Sequence, residues 1–324
     1  MGLNIFRLVF VLASVVAGVG TAVAQSWPDR AIRWVVPYPP GGGTDVISRA
    51  MSQKLAASLG QQIIIDNRGG GGQVIGTEVV AKSRPDGYTI LLISLAHSLN
   101  PTLVAKLPYD TLKDFAPVSL ILDSSATVLA VNPSVPASSM KELIAWARAN
   151  PGKVSYASSG NGSGGHMSME LLQSMAGTQM LHVPYKGASQ ALNDIVSGEV
   201  SMMFTLPLAA ASLAKAGRVK ILAISSRARS PQLPDIPTVA ESGVPGYEAS
   251  LWYGIVAPRG TPRPIIDRLN TAVREAVSSQ EVRETYANSG GEAVSTTPEE
   301  LERHIVREME KWRKVIISAN IKIQ

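Results

Sequence analysis

The chain has 324 residues, 30 Lys and Arg against 25 Asp and Glu, a formal net charge of +5 and no cysteine. The missing cysteine excludes a disulfide framework and thiol catalysis, and no Lys/Arg block dense enough for a nucleic-acid footprint occurs. The length exceeds what one hydrophobic core usually serves, so two lobes are expected.

The N-terminus carries one cation, Arg7, then an uncharged apolar run from Leu8 to Val19, then Val23 between the small residues Ala22 and Ala24. This is the layout of a secretory signal with an Ala-x-Ala cleavage site, so residues 1–24 are read as a leader removed after Ala24 and the protein as exported from the cytoplasm. The apolar run is shorter than the ~20 residues a membrane-spanning helix needs.

Beyond the leader, short β-branched runs alternate with segments of helical period, the pattern of α/β lobes built on largely parallel sheets. Ile32–Val36, Gln62–Ile65 and Thr89–Ile93 read as strands of a first lobe. Between the first two lies a helix whose Ile47, Met51, Leu55 and Leu59 form one apolar stripe ending near Gly60. Val154–Ala157, Leu181–Val183, Met202–Phe204 and Lys220–Ile224 read as strands of a second lobe. The extended stretches Val118–Val131 and Leu251–Ala257 read as two crossings between the lobes, which leave a hinged cleft between them. The domain reading is therefore residues 25–125 plus 252–324 for lobe 1 and 126–251 for lobe 2. Near the end, Thr297, Pro298 and Glu300 form a capping box, and Leu301, Ile305, Met309 and Trp312 give the following helix a buried face.

Two loops carry the functional reading. After the first strand come Tyr38, Pro39, Pro40, Gly41, Gly42, Gly43, Thr44 and Asp45. The prolines stiffen the approach, the glycines let the backbone come close to a ligand, and Thr44 or Asp45 caps the next helix. Helix N-termini at the carboxyl ends of strands favour anions. A plain helix entrance with turn residues is the competing reading. The same design recurs in the second lobe as Ser158, Ser159, Gly160, Asn161, Gly162, Ser163, Gly164, Gly165 and His166, and two such loops facing one cleft would grip one carboxylate. His166 is open to two readings, a ligand contact or a turn cap. His97 and Ser94, at the end of the third strand, are further candidates beside a plain polar loop, and Lys186 is either a charge for the ligand or a solvated turn residue.

Other chemistries lack a component. Gly160, Gly162 and Gly165 match a dinucleotide fingerprint, but the next strand runs into Pro184, Tyr185 and Lys186 with no acidic ribose reader. Gly71–Gly76 is followed by Thr77 where a phosphate loop requires lysine. Asn161 breaks the nucleophile-elbow pattern around Ser163, and none of His97, His166, His182 and His304 stands in a metal-binding spacing. No cofactor and no metal are expected.

These residues resemble the substrate-binding proteins of tripartite tricarboxylate transporters, the Bug receptors. The resemblance rests on the leader, Tyr38–Asp45, Asp66–Gly69, Pro85–Tyr88, Tyr109–Asp110, Ser158–His166, Val183–Gly187, Leu233–Gly246, Ala257–Pro262 and Trp312, in the expected order. It implies a two-lobed α/β periplasmic binding-protein fold, type II-like, closing on a small organic carboxylate that is passed to integral-membrane permease subunits. The protein is then a binding protein, not an enzyme, and a monomer. The two strand-end loops become its jaws, joined by Tyr185 and Thr205 at the ends of neighbouring strands. Many relatives have aspartate where this chain has Thr205, which points away from amino-acid ligands and leaves di- or tricarboxylates and aromatic acids. A sensor of the same fold, presenting its solute to a signalling membrane protein, and an α/β enzyme acting on a carboxylate are the alternatives.

Overall fold

The computed structural model describes residues 27–318 and residue 321; the leader reading lies outside the described residues. The first lobe opens with β1 (Ile32–Val36), α1 (Gly43–Leu59), β2 (Ile63–Asn67), α2 (Val74–Ala81), β3 (Thr89–Ser94), α3 (Leu95–Leu103) and β4 (Phe115–Ala126). The second lobe follows as β5 (Val128–Val131), α4 (Met140–Ala149), β6 (Ser155–Ser158), α5 (Gly164–Ala176), β7 (Leu181–Pro184), α6 (Ala188–Ser197), β8 (Met202–Thr205), α7 (Pro207–Lys215) and β9 (Lys220–Ile224). The chain then returns through β10 (Ser250–Pro258), α8 (Arg263–Ser278), α9 (Gln280–Asn288), β11 (Glu292–Ala293) and α10 (Pro298–Ser318) to the first lobe. Among the described residues no helix is long and apolar enough to cross a membrane.

The strands form a six-stranded sheet, β11-β4-β10-β3-β1-β2, and a five-stranded sheet, β7-β6-β8-β5-β9. Both are mixed, where largely parallel sheets were expected. β1 runs parallel to β2 and β3, and β6 parallel to β7 and β8, but β10 is antiparallel to β3 and β4, and β5 to β8 and β9. A parallel neighbour needs a helical crossover. The strands by which the chain leaves and re-enters a lobe have none, and they pair the other way. Leu251–Ala257 accordingly lies wholly within β10, in the interior of the first sheet; the return crossing runs just before it.

The helical stripe packs as its period dictates: Ile47, Met51, Leu55 and Leu59 are all buried, and Gly60 ends α1 in the left-handed conformation that favours glycine. At the other end, Thr297 N–H donates to Glu300 Oε2 at 2.8 Å and Glu300 N–H to Thr297 Oγ1 at 3.2 Å, the reciprocal capping box. Leu301, Ile305 and Trp312 of α10 join the first lobe's core.

The lobes meet at a bonded crossing point. Ser225 N–H donates to Thr127 O and Thr127 N–H to Ser225 Oγ, both at 2.8 Å, and Thr127 Oγ1 lies 2.9 Å from the same oxygen. Ser225 O also accepts from Ala249 N–H at 2.9 Å, so this buried serine, at the end of β9, ties the outgoing segment at Thr127 to the returning one at Ala249 where they pass between the sheets.

Candidate ligand-binding site

A cavity of about 50 Å³ lies between the lobes, and four helix N-termini converge on it. Gly42, Gly43 and Thr44 open α1, Gly164 and Gly165 open α5, Gly187, Ala188 and Ser189 open α6, and Leu206 leads into α7. The first amides of a helix have no intrahelical acceptor, and its N-terminus carries roughly half a positive charge. Hydroxyls are supplied by Tyr38, Thr44, Thr127, Ser159, Ser189, Thr205 and Tyr253; among the described residues no Asp, Glu, Lys, Arg or His lines the cavity. Such a surface neutralises an anion with dipoles alone. Hydrogen bonds to a charged group contribute about 1.5–3 kcal/mol each, and micromolar binding requires roughly −8 kcal/mol, so a few aligned donors suffice after association costs.

The first jaw is held in shape by its own side chains. Asp45 accepts from Gly41 N–H at 3.1 Å, Arg49 Nε at 2.9 Å and Asn67 Nδ2 at 3.1 Å, while Asn67 Nδ2 also donates to Tyr38 O at 3.0 Å. Burial opposes ionisation of Asp45, yet the bonds from Arg49, Gly41 and Asn67 prevail and hold its carboxyl below the usual range. Behind the loop, Tyr38 OH donates to Ser94 Oγ (3.1 Å), Ser94 to Gln73 Oε1 (2.8 Å) and Gln73 Nε2 to Tyr38 OH (2.7 Å), closing a ring in which each bond polarises the next. Gln73 is the one non-glycine residue with a positive φ, 75°, among the described residues, following left-handed glycines at 71 and 72; the ring keeps it there.

The second jaw rests on a stack of aromatic rings. His166 and His182 lie 4.0 Å apart, centroid to centroid, and Tyr156 lies 4.8 Å beyond His182. His166 Nδ1 accepts from Gly162 N–H at 3.2 Å, His182 Nε2 bonds Ser158 Oγ at 2.7 Å, and Tyr156 OH donates to Glu170. Burial pushes His166 down to about 3, aided by His182, and burial alone pushes His182 down to about 4, so both are neutral at pH 7. Their native pKa values lie below the unfolded value near 6.5, so the stability they contribute is complete above about pH 6.5 and is lost as pH falls toward 4. We expect the denaturant midpoint to drop over this window and the drop to shrink in His182→Gln; a flat profile from pH 7 to 4.5 would contradict this.

Of the residues expected from sequence, Tyr38, Gly42, Gly43, Thr44, Ser159, Gly164, Gly165 and Thr205 line the cavity. Asn161, Ser163 and Tyr185 line an adjoining outer chamber together with Tyr38 and Ser159. Gly41, Asp45, Ser94, Ser158 and His166 instead brace the loops. His97 stands apart. The chain turns from β3 directly into α3, which carries its ring into the core, 5.1 Å from Phe115 and 6.4 Å from Tyr109, with no hydrogen-bond partner on either nitrogen. Burial lowers its pKa to about 4 and keeps it neutral. The sequence reading missed the starts of α6 and α7, Leu251 and Tyr253. Gly187 caps α6 without a side-chain signal, and β10 reaches the site only through long-range pairing.

Glycine is required where the jaws meet their surroundings. A Cβ at Gly43 would lie 2.8 Å from Leu206 Cδ1 of the opposite lobe, and one at Gly72 2.6 Å from Asn161 O. Ser189 Oγ donates across the cleft to Gly41 O at 3.2 Å, so the lobes are closed. Within the second lobe, a Cβ at Gly165 would lie 2.4 Å from the carbonyl oxygen of Phe204. Backbone cannot rotate aside, so Gly165→Ala is expected to cost about 1–3 kcal/mol of stability and to displace the α5 N-terminus. Urea denaturation with a ligand titration checks this; an unchanged midpoint and affinity would contradict it.

Two α/β lobes closed over an uncharged cavity ringed by helix N-termini define a two-lobed binding protein of the periplasmic type. Residues 47–321 match the model of the tripartite tricarboxylate transporter family receptor, and the chain belongs to that family. It is 38% identical to Protein BugT of Bordetella pertussis over 99% of this chain and 100% of that one. Among solved structures, a protein of R. palustris with adipate is 37% identical, with a TM-score of 0.88 over 91% of this chain and 99% of that one. MatC from Rhodopseudomonas palustris with bound malate is 32% identical, with a TM-score of 0.85 over 90% of this chain and 100% of that one.

Proposed function

We propose that this protein captures a small organic carboxylate in its closed cleft and hands it, unchanged, to the integral-membrane permease subunits of a tripartite tricarboxylate transporter. It does so as a monomer in the periplasm, after removal of residues 1–24. The observation that carries this reading is the convergence of four helix N-termini on a cavity with no charged side chain. The adipate and malate in structures of two relatives support the carboxylate class. The family match supports the permease as recipient.

The lobes are residues 25–125 with 252–324, and 126–251, and they hinge where the chain crosses at Thr127 and again at Ala249, both bonded to Ser225. An acid that touches both jaws makes its full set of contacts only when they are closed, so it shifts the population toward that state. No step of chemistry occurs in the cleft. Native mass spectrometry of the purified protein, then a thermal-shift screen of carboxylic acids with NAD and ATP as controls, tests the reading. At least one acid should stabilise the protein and be recovered unaltered. Stabilisation by a nucleotide and by no acid, or turnover of the bound acid, would sink it.

A further inference from the structure

The crossing strands present a different space on each of their two faces. Thr127 and Leu251 line the ligand cavity. Ala126 and Ser250, each one residue away and paired with one another across β4 and β10, line a groove of about 770 Å³. Successive side chains of an extended strand point to opposite faces, so cavity and groove lie in front of and behind the same crossing.

The rear groove takes one wall from each lobe. The loop 226–232 and Glu248 belong to the second lobe, and Arg283 and Ala287 of α9 with the β11 residues Glu292 and Ala293 belong to the first. Its floor is bonded. Ala126 N–H donates to Gly290 O at 2.9 Å, and a Cβ on Gly290 would lie 2.8 Å from Ala126 O and 2.9 Å from Pro207 Cγ of the second lobe. The lobes are thus in close contact along this line, which forms the fulcrum. In front of it the lips touch, with Ser189 Oγ on Gly41 O at 3.2 Å. Behind it the walls stand apart. A rotation about the fulcrum that parts the lips must bring the rear walls together.

We infer that the rear groove is the counterpart of the ligand cleft: it keeps its width only while the cleft is shut, and bulk placed between its walls holds the cleft shut without touching the ligand. This rests on the reading of the two lobes as hinged about a carboxylate, and adds a place outside the cleft from which affinity is set. Only the closed fraction of the ligand-free protein has both jaws in position. A closed fraction of about a tenth, raised toward unity, tightens the apparent affinity roughly tenfold.

The test places an indole on each wall in turn, as Ala287→Trp in the first lobe and Ala228→Trp in the second, with Ala228→Ser as the control that adds no bulk. X-ray scattering of the ligand-free mature proteins and calorimetry with adipate and with malate are the readouts. Both tryptophan variants should show a ligand-free radius of gyration close to that of the acid-bound wild type, and should bind the acid roughly tenfold more tightly through slower dissociation. Ala228→Ser should match the wild type in both. Damage to the fold would weaken binding, so a gain in affinity is not its product. Ligand-free scattering unchanged in both tryptophan variants, or no gain in affinity for an acid that the wild type binds, would overturn the inference. Failure of the wild type to bind either acid would count against the carboxylate reading alone, and the ligand-free scattering would still decide whether the groove controls the cleft.

Discussion

Replacing Thr205 with aspartate is expected to abolish carboxylate binding while leaving the ligand-free fold intact. Thr205 ends β8, is buried, and lines the inner cavity. The new carboxylate would sit among the same helix N-termini that serve the ligand, so its own charge would be well accommodated. The ligand would then meet a like charge in place of a hydroxyl. Two unit charges about 4 Å apart repel by about 4 kcal/mol at an effective dielectric constant of 20, which is a loss of roughly a thousandfold in affinity. Thr205→Val, which removes the hydroxyl without adding charge, should lose about tenfold or less. Acids that also carry an ammonium group should regain affinity in the aspartate variant. Calorimetry on the three proteins checks the order, and equal carboxylate affinity in wild type and Thr205→Asp would show that the ligand sits elsewhere.

Gly187→Ala should weaken binding without weakening either lobe. Gly187 has a φ of −176°, an extended conformation open to any residue, so alanine brings no backbone strain. Its Cβ would lie 2.3 Å from Pro39 Cγ on the opposite lobe. The proline ring is closed onto its own backbone and cannot swing aside as a flexible side chain could. The clash exists only in the closed cleft. Relieving it costs about 1–3 kcal/mol, or roughly ten- to a hundredfold in affinity. The ligand-induced decrease in radius of gyration seen by X-ray scattering should shrink, with the ligand-free melting temperature unchanged. Full compaction and wild-type affinity would contradict closure through this contact.

Much of this architecture is legible in the sequence because its signals are local. The stripe from Ile47 to Leu59, the Thr297–Glu300 capping box and the glycine-rich openings of α1 and α5 each announce themselves within a dozen residues. What escapes the sequence depends on pairing across distance. β10 lies between β3 and β4 by contacts from more than a hundred residues away, and it carries Leu251 and Tyr253 to the cavity. His97 resembles a polar loop residue in sequence, but α3 turns it into an aromatic core. The loops, by contrast, could be found before their bracing residues because glycine and hydroxyl runs at strand ends are local in sequence.

In the proposed binding mode, opposed helix N-termini hold the acid by their amides. Backbone ¹⁵N NMR of the mature protein, titrated with the tightest-binding carboxylate, tests it most directly. The amide protons of Gly42, Gly43, Thr44, Gly164 and Gly165 should move downfield together and saturate with one equivalent. Saturable binding that shifts residues outside the cleft, with these five amides unmoved, would contradict it.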